Sequence, residues 1–217
     1  MLVRDQMTRN PVTIAASSSV QDALTLMRDR KIRRLLVADA QNKLLGIVSE
    51  KDLLYASPSP TTSLSVYEIP YLLSKLTVEK VMTKQVISVS EDSPLEEAAL
   101  IMADRKIGGL PVITNGSIAG IITETDIFRT FLKLLGGRAK GVRVTATTAS
   151  GKGVFAKIMS AVAEAGGDIV GFGAADSTTP SGAQVWELML KVQGVGKDKL
   201  QTALKPVIVE LLDIREN

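Results

Sequence analysis

The feature that most constrains this chain is that it says nearly the same thing twice. Gly46-Ile47-Val48-Ser49-Glu50-Lys51-Asp52 returns as Gly120-Ile121-Ile122-Thr123-Glu124-Thr125-Asp126. Sliding the chain along itself by 75 positions lays Met7-Thr8 on Met82-Thr83, Asp22-Ala23 on Glu97-Ala98, Met27 on Met102 and Lys31-Ile32 on Lys106-Ile107. From Gly46 onward the offset is 74, so the second copy has lost a residue between Val112 and Gly120, where a turn tolerates the loss. A repeat of this length is one supersecondary unit used twice, and any fold must accommodate both copies.

Each copy reads β-α-β-β-α. A short extended piece, Pro11 to Ile14 in the first copy, precedes a serine-marked helix start. Capping boxes are expected at Ser18 with Gln21 and at Ser93-Pro94-Leu95-Glu96. Val20, Ala23, Leu24 and Met27 then recur at helical spacing, as do Leu95, Ala98, Ala99 and Met102, which gives each helix one apolar face. Two β-rich runs follow. Asn115-Gly116 is a strong two-residue hairpin signal in the second copy, and the first uses the longer Ala40-Gln41-Asn42-Lys43. Such a unit leaves a sheet face uncovered, so the two copies are expected to pack together.

The expected divisions are a first repeat over 1–57, a linker with an apolar helical insert over 58–77, a second repeat over 78–137 and a tail domain over 141–217. The breaker cluster over 57–62 and the insert over 66–76 separate the repeats, and Gly136-Gly137 ends the second. The tail alternates at Val142, Val144 and Ala146, becomes helical from Val154 to Ala165, and continues as strand, strand, helix and strand. That order, βαββαβ, is the split-βαβ, ferredoxin-like pattern. The fold class is therefore mixed α/β (α+β).

Composition narrows the function. The chain contains no cysteine and no histidine, which removes thiol nucleophiles, imidazole bases and the commonest zinc ligands together. No metal site, catalytic residue or catalytic cofactor is expected. A net charge of +3 is too small a bias to argue for nucleic acid. No run approaches the ~18 apolar residues of a membrane span, so the expectation is a cytoplasmic protein with no membrane partner.

The repeated ending could carry binding. Alone, Thr123-x-x-Asp126 is a capping box that needs no ligand. A hydroxyl at a helix start, beside free N–H groups and the positive end of the dipole, is also a ready phosphate site, with Asp126 one turn inside. Gly108-Gly109 either makes room for a flat base or marks a tight approach of two chains. The first copy has Arg33-Arg34 there, placed to reach phosphates or simply solvated, so the two sites are not equivalent.

With the doubled Met-Thr start, the stretch Ile107 to Val112 and the doubled G-h-h-[S/T]-x-x-D ending in hand, the first 135 residues resemble a tandem CBS pair, an adenosine-ligand-sensing module. Leu36 stands where that family usually has proline. The tail resembles an ACT domain, and the combined order is similar to acetoin-utilisation AcuB-like proteins. What the resemblance implies is a regulatory protein without enzyme activity, sensing cellular energy through an adenine nucleotide such as AMP, ADP or ATP. Ser49 with Asp52 and Thr123 with Asp126 would hold phosphate and ribose. The base wall would be Ile107, Gly109, Pro111 and Ser88, with Thr13, Ile32 and Arg34 as first-copy counterparts. Asp126 is expected to matter more than Asp52, because the second copy keeps Pro111. In the tail, Ser150, Gly151, Gly153 and Asp168 occupy the places an ACT domain uses for ligand, but Ser150-Gly151-Lys152-Gly153 replaces the usual aspartate and Pro-Gly pair, which points to interaction and not amino-acid sensing. A homodimer with a regulated protein as partner is expected. The alternatives are a ligand-free dimerisation scaffold, or a sensor of S-adenosylmethionine or cyclic di-AMP.

Overall fold

A computed structural model describes residues 1–56, 74–179 and 181–216. The expected breaker cluster over 57–62 and residues 66–73 of the helical insert lie outside the described residues. The first repeat runs β1 (Thr8–Arg9), β2 (Thr13–Ile14), α1 (Val20–Arg30), β3 (Arg34–Ala38), β4 (Leu44–Ser49) and α2 (Glu50–Tyr55). The second runs β5 (Val89–Ser90), α3 (Leu95–Arg105), β6 (Gly109–Thr114), β7 (Ser117–Thr123) and α4 (Glu124–Leu134). From β2 and from β5 onward the order is the expected β-α-β-β-α. The second hairpin closes as its sequence requires: Thr114 pairs with Ser117, and Asn115 and Gly116 both take positive φ (51° and 80°).

The helix starts correct the sequence reading. The cap of α1 is Ser19, not Ser18, and its partner is Asp22, not Gln21: the Asp22 N–H donates to Ser19 Oγ at 3.0 Å, and the Ser19 hydroxyl donates to Asp22 Oδ2 at 2.7 Å. In α3 the cap position is Pro94, with no side-chain hydrogen bond, and Ser93 lies outside the helix. Both helices share a backbone device at their first residue. The Leu95 N–H donates to the Met1 carbonyl at 3.0 Å, just as the Val20 N–H donates to the Leu76 carbonyl at 2.8 Å. Each helix start is thus met by a segment that precedes the other repeat.

That exchange runs through the whole of the first compact unit, Met1–Ile127. Strand β1 pairs antiparallel with β7 of the second repeat, Thr8 opposite Ile121, giving a sheet ordered β1-β7-β6-β5. In the other direction Thr83 bridges Ile47 of β4, beside the sheet β2-β3-β4. Val3 and Met7 are buried with Val89, Ala98, Met102, Leu110 and Ile122 of the second repeat. Val78 is buried with Val20, Met27, Leu35, Val48 and Leu53 of the first. Two glycines make room. A Cβ on Gly46 would lie 2.6 Å from Met82 Sδ and 2.9 Å from the Thr83 carbonyl oxygen; one on Gly120 would lie 2.6 Å from Met7 Sδ and 2.9 Å from the Thr8 carbonyl oxygen. The repeated glycine and the repeated Met-Thr therefore touch crosswise, not within one copy.

The second unit, Phe128–Asn217, begins inside α4, ahead of the tail start expected at 141, because Leu135 and Gly136 already lie against Gly171 and Lys191 of the tail sheet. Its elements are β8 (Val142–Ala149), α5 (Val154–Glu164), β9 (Asp168–Thr178), β10 (Gln184–Gln193), α6 (Lys197–Leu204) and β11 (Glu210–Glu216), the βαββαβ order read from the sequence. The antiparallel sheet is ordered β11-β8-β10-β9. Val142, Val144 and Ala146 alternate onto one face with Leu188, Leu190 and Val192, and Ile158, Val162, Leu200 and Leu204 of the helices close the core over them. Phe155 meets Phe172 and Trp186 edge to face, each at 5.4 Å between ring centroids. No described helix is long and apolar enough to cross a membrane.

Candidate functional site

Because the segments are exchanged, the first unit forms a cleft of about 500 Å³ whose walls come from both repeats. The first repeat supplies Arg34, Ser49 and Asp52. The second supplies Ile107, Gly108 and Gly109. The segment after the bridged Thr83, which carries Gln85, Val86 and Ile87, forms a further wall. The volume lies in the range of small-molecule sites, about 300–1,000 Å³.

The motif residues are held by their own helix starts. At α2 the Ser49 N–H and hydroxyl both donate to Asp52 Oδ2, at 2.8 and 2.6 Å, and the Asp52 N–H donates back to Ser49 Oγ at 3.3 Å. At α4 the Thr123 N–H and hydroxyl donate to Asp126 Oδ2 at 3.0 and 2.7 Å. The motif at α2 is thus a capping box, and at α4 the same pair of bonds from the cap residue to the aspartate is formed. At Asp52 these bonds use one carboxylate oxygen, so Oδ1 is outside the capping pair in a residue that lines the cleft. Capping and ligand binding are then compatible at that aspartate, since an ionised carboxylate has about four acceptor sites.

Of the residues singled out in the sequence, Arg34, Ser49, Asp52, Ile107 and Gly109 meet in this cleft. Thr13, Ile32, Ser88, Pro111, Thr123 and Asp126 do not line it. Thr13 is exposed on β2 opposite Leu36, Ser88 is exposed just ahead of β5, and Pro111 is buried in β6 opposite Ile121. Asp126 is only 9% exposed. The sequence reading kept each motif with the wall of its own copy, whereas the structure joins the first copy's motif to the second copy's glycine pair. The wall of Gln85, Val86 and Ile87 was missed, although the repeated Met-Thr just before it is the signal that could have found it.

In the tail, the sequence-picked residues are not brought together. Ser150, Gly151 and Gly153 lie at the start of α5, and Asp168 follows its far end, one helix of 11 residues, or roughly 16 Å, away. The sheet register agrees, since Ala149 is opposite Val185 and Asp168 is opposite Gln193. Among the described residues no group of three or more acidic, histidine or cysteine side chains is placed to hold a metal ion.

The electrostatics of the cleft centre on Arg34. A Cβ built on Gly108 would overlap the Arg34 guanidinium and lie 2.7 Å from Glu124 Oε2, so both charged ends converge on the bare glycine. Burial lowers the pKa of Arg34; Glu124 opposes that shift, Arg33 adds to it, and Asp52 also opposes it. An arginine remains protonated through such a shift, so it is a half-buried permanent cation.

Comparison with known proteins gives this geometry its class. The CBS domain model matches residues 3–59 and 78–133, and the chain belongs to the CBS-domain family. Among solved structures, a putative acetoin utilization protein (AcuB) from Vibrio cholerae is 36% identical with a TM-score of 0.53, covering 64% of this chain and 95% of that one. The CBS domain pair of protein MJ0100, solved with 5′-methylthioadenosine and S-adenosyl-L-methionine, is 29% identical with a TM-score of 0.51, covering 64% and 98%. CBSX2 in complex with AMP is 33% identical with a TM-score of 0.50, covering 60% and 96%. The inosine-5′-monophosphate dehydrogenase of Nitrosopumilus maritimus is 38% identical over 122 residues, which are 56% of this chain and 22% of the relative. The chain thus spans less than a third of the length of the first curated relatives it matches.

Proposed function

We propose that this chain is a non-catalytic regulatory protein that binds an adenosine-containing ligand in the cleft between its repeats and passes the bound state to a partner protein. The observation that carries the reading is the meeting of Ser49 and Asp52 from one repeat with Ile107 and the bare Gly108-Gly109 from the other, in a cavity large enough for a nucleoside. Ile107 with Val86 and Ile87 offers an apolar wall to a base, and Asp52 Oδ1 offers an acceptor to a ribose diol. Structures similar to this one hold AMP in one case and 5′-methylthioadenosine with S-adenosyl-L-methionine in another. A ligand touching both repeats shifts their packing by whatever difference in affinity it has for the two arrangements.

The output would run through association. Helix α4 leaves Phe128 and Phe131 at 66% and 52% exposure, a pair of aromatic side chains that a second copy would cover, and the tail would act as an ACT-like interaction domain. Light scattering is expected to give a dimer at micromolar concentration; a monomer would remove this route.

A thermal-shift panel of AMP, ADP, ATP, S-adenosylmethionine, 5′-methylthioadenosine, cyclic di-AMP and amino acids tests the core reading, because a ligand binding only the native state raises the melting temperature by mass action. The second reading, a ligand-free scaffold, is favoured by one observation: in both repeated motifs the aspartate already accepts hydrogen bonds from its own helix start without any ligand. No shift with any adenosine compound would establish it in place of the first.

A further inference from the structure

The charge of the cleft says more about its ligand than its shape does. Its lining carries four cations, Arg33, Arg34, Lys51 and Lys106, against two carboxylates, Glu50 and Asp52. Arg34 stands apart from the other three because it is not a solvated surface charge. It is half-buried in β3, crosses from the first repeat to the second, and lies over Gly108 only because that position has no side chain. Its nearest compensation is Glu124, the first residue of α4, which is exposed and does not line the cleft. The guanidinium of a cleft-lining residue therefore lies near the Glu124 carboxylate, and its planar fork of N–H donors matches the geometry of a phosphate.

We infer that this cleft selects adenosine ligands carrying a 5′-phosphate, read by Arg34, over neutral or sulfonium ligands with the same adenosine. The inference rests on the adenosine reading above and specifies its ligand class. A phosphate monoester brings a charge of about −1.5 to −2 to a wall with surplus positive charge. S-adenosylmethionine places a sulfonium cation at the same carbon, beside a half-buried arginine that cannot give up its proton, and 5′-methylthioadenosine brings no charge to pair with it. Phosphate binding also gives Arg34 a second anion in competition with Glu124, so occupancy of the cleft is felt at the first turn of α4.

The test is calorimetric titration of the full chain with AMP, ATP, cyclic di-AMP, 5′-methylthioadenosine and S-adenosylmethionine. AMP is expected to bind at least tenfold tighter than 5′-methylthioadenosine, with S-adenosylmethionine weakest, and raising the salt is expected to narrow the gap. ATP against cyclic di-AMP separates a phosphate chain from a phosphodiester, both of which carry the 5′-phosphate. Arg34→Gln should lose the preference, bringing AMP down to within about threefold of 5′-methylthioadenosine while leaving the latter's affinity within about twofold. Gly108→Ala, which displaces the guanidinium without removing it, should weaken AMP more than 5′-methylthioadenosine. Tighter binding of S-adenosylmethionine or 5′-methylthioadenosine than of AMP overturns the inference while leaving the adenosine site standing. So does Arg34→Gln if it weakens every ligand equally at an unchanged melting temperature. Absence of binding by any of the five overturns both readings.

Discussion

The two repeats agree where they must pack and disagree where they meet the cleft. Gly46 and Gly120 have matching surroundings down to the same distances to the exchanged methionine and threonine. Lys31 and Lys106 both end their helices in the left-handed region with φ of 54° and ψ of 41°. By contrast Arg33-Arg34 stands against Gly108-Gly109, and the difference is complementary: the long cation of one repeat occupies the space left by the bare glycine of the other. At this cleft, therefore, the two copies of a duplicated fold contribute unlike residues that fit one another.

That comparison can be broken or sharpened by substitution. The largest effect is expected at the shared glycines. Gly46→Val and Gly120→Val each force a side chain into a backbone carbonyl, and each should cost about 2–3 kcal/mol in chemical denaturation, with similar losses in both. A loss at one position only would mean that the exchange is not equally tight in both directions.

Next come the aspartates, where the repeats should part. Losing a hydrogen bond to a charged group costs about 1.5–3 kcal/mol, so Asp52→Ala should weaken AMP binding tenfold to a hundredfold in calorimetry. Asp126→Ala should have the smaller effect on affinity in this cleft, which reverses the ranking expected from the sequence. Equal effects would point to a second ligand site at Thr123 and Asp126.

The smallest effect separates the helix starts. Ser19→Ala removes a side-chain cap and should cost on the order of 1 kcal/mol in thermal or urea melts. Ser93→Ala removes none and should be nearly neutral, because Ser93 lies outside the helix and Pro94 holds the cap position. A penalty at Ser93 as large as at Ser19 would contradict the backbone arrangement.

The sequence made the local structure legible because local structure is periodic. The repeat, the β-α-β-β-α order, the Asn115-Gly116 turn and the βαββαβ tail all follow from patterns a few residues long. The exchange was not legible, because it depends on pairings such as Thr8 with Ile121 and Thr83 with Ile47, through strands too short to show alternation. As a result the residue types of the site were found but were grouped by copy. In the tail, helix α5 carries the chain from the 150–153 loop at one end of the sheet to Asp168 at the other.

The exchanged segments also bear on how the chain acquires its structure. Val3 and Met7 complete the core of a repeat that begins some eighty positions later, so a nascent chain holding only the first repeat has neither its own Val78 nor a resting place for those two side chains. Closing so long a loop before the contacts can reward it slows folding. The unit of duplication is one repeat, whereas the unit of cooperative folding is the pair. On melting, the pair should unfold in a single transition, and during synthesis it should stay incomplete until β7 has left the ribosome.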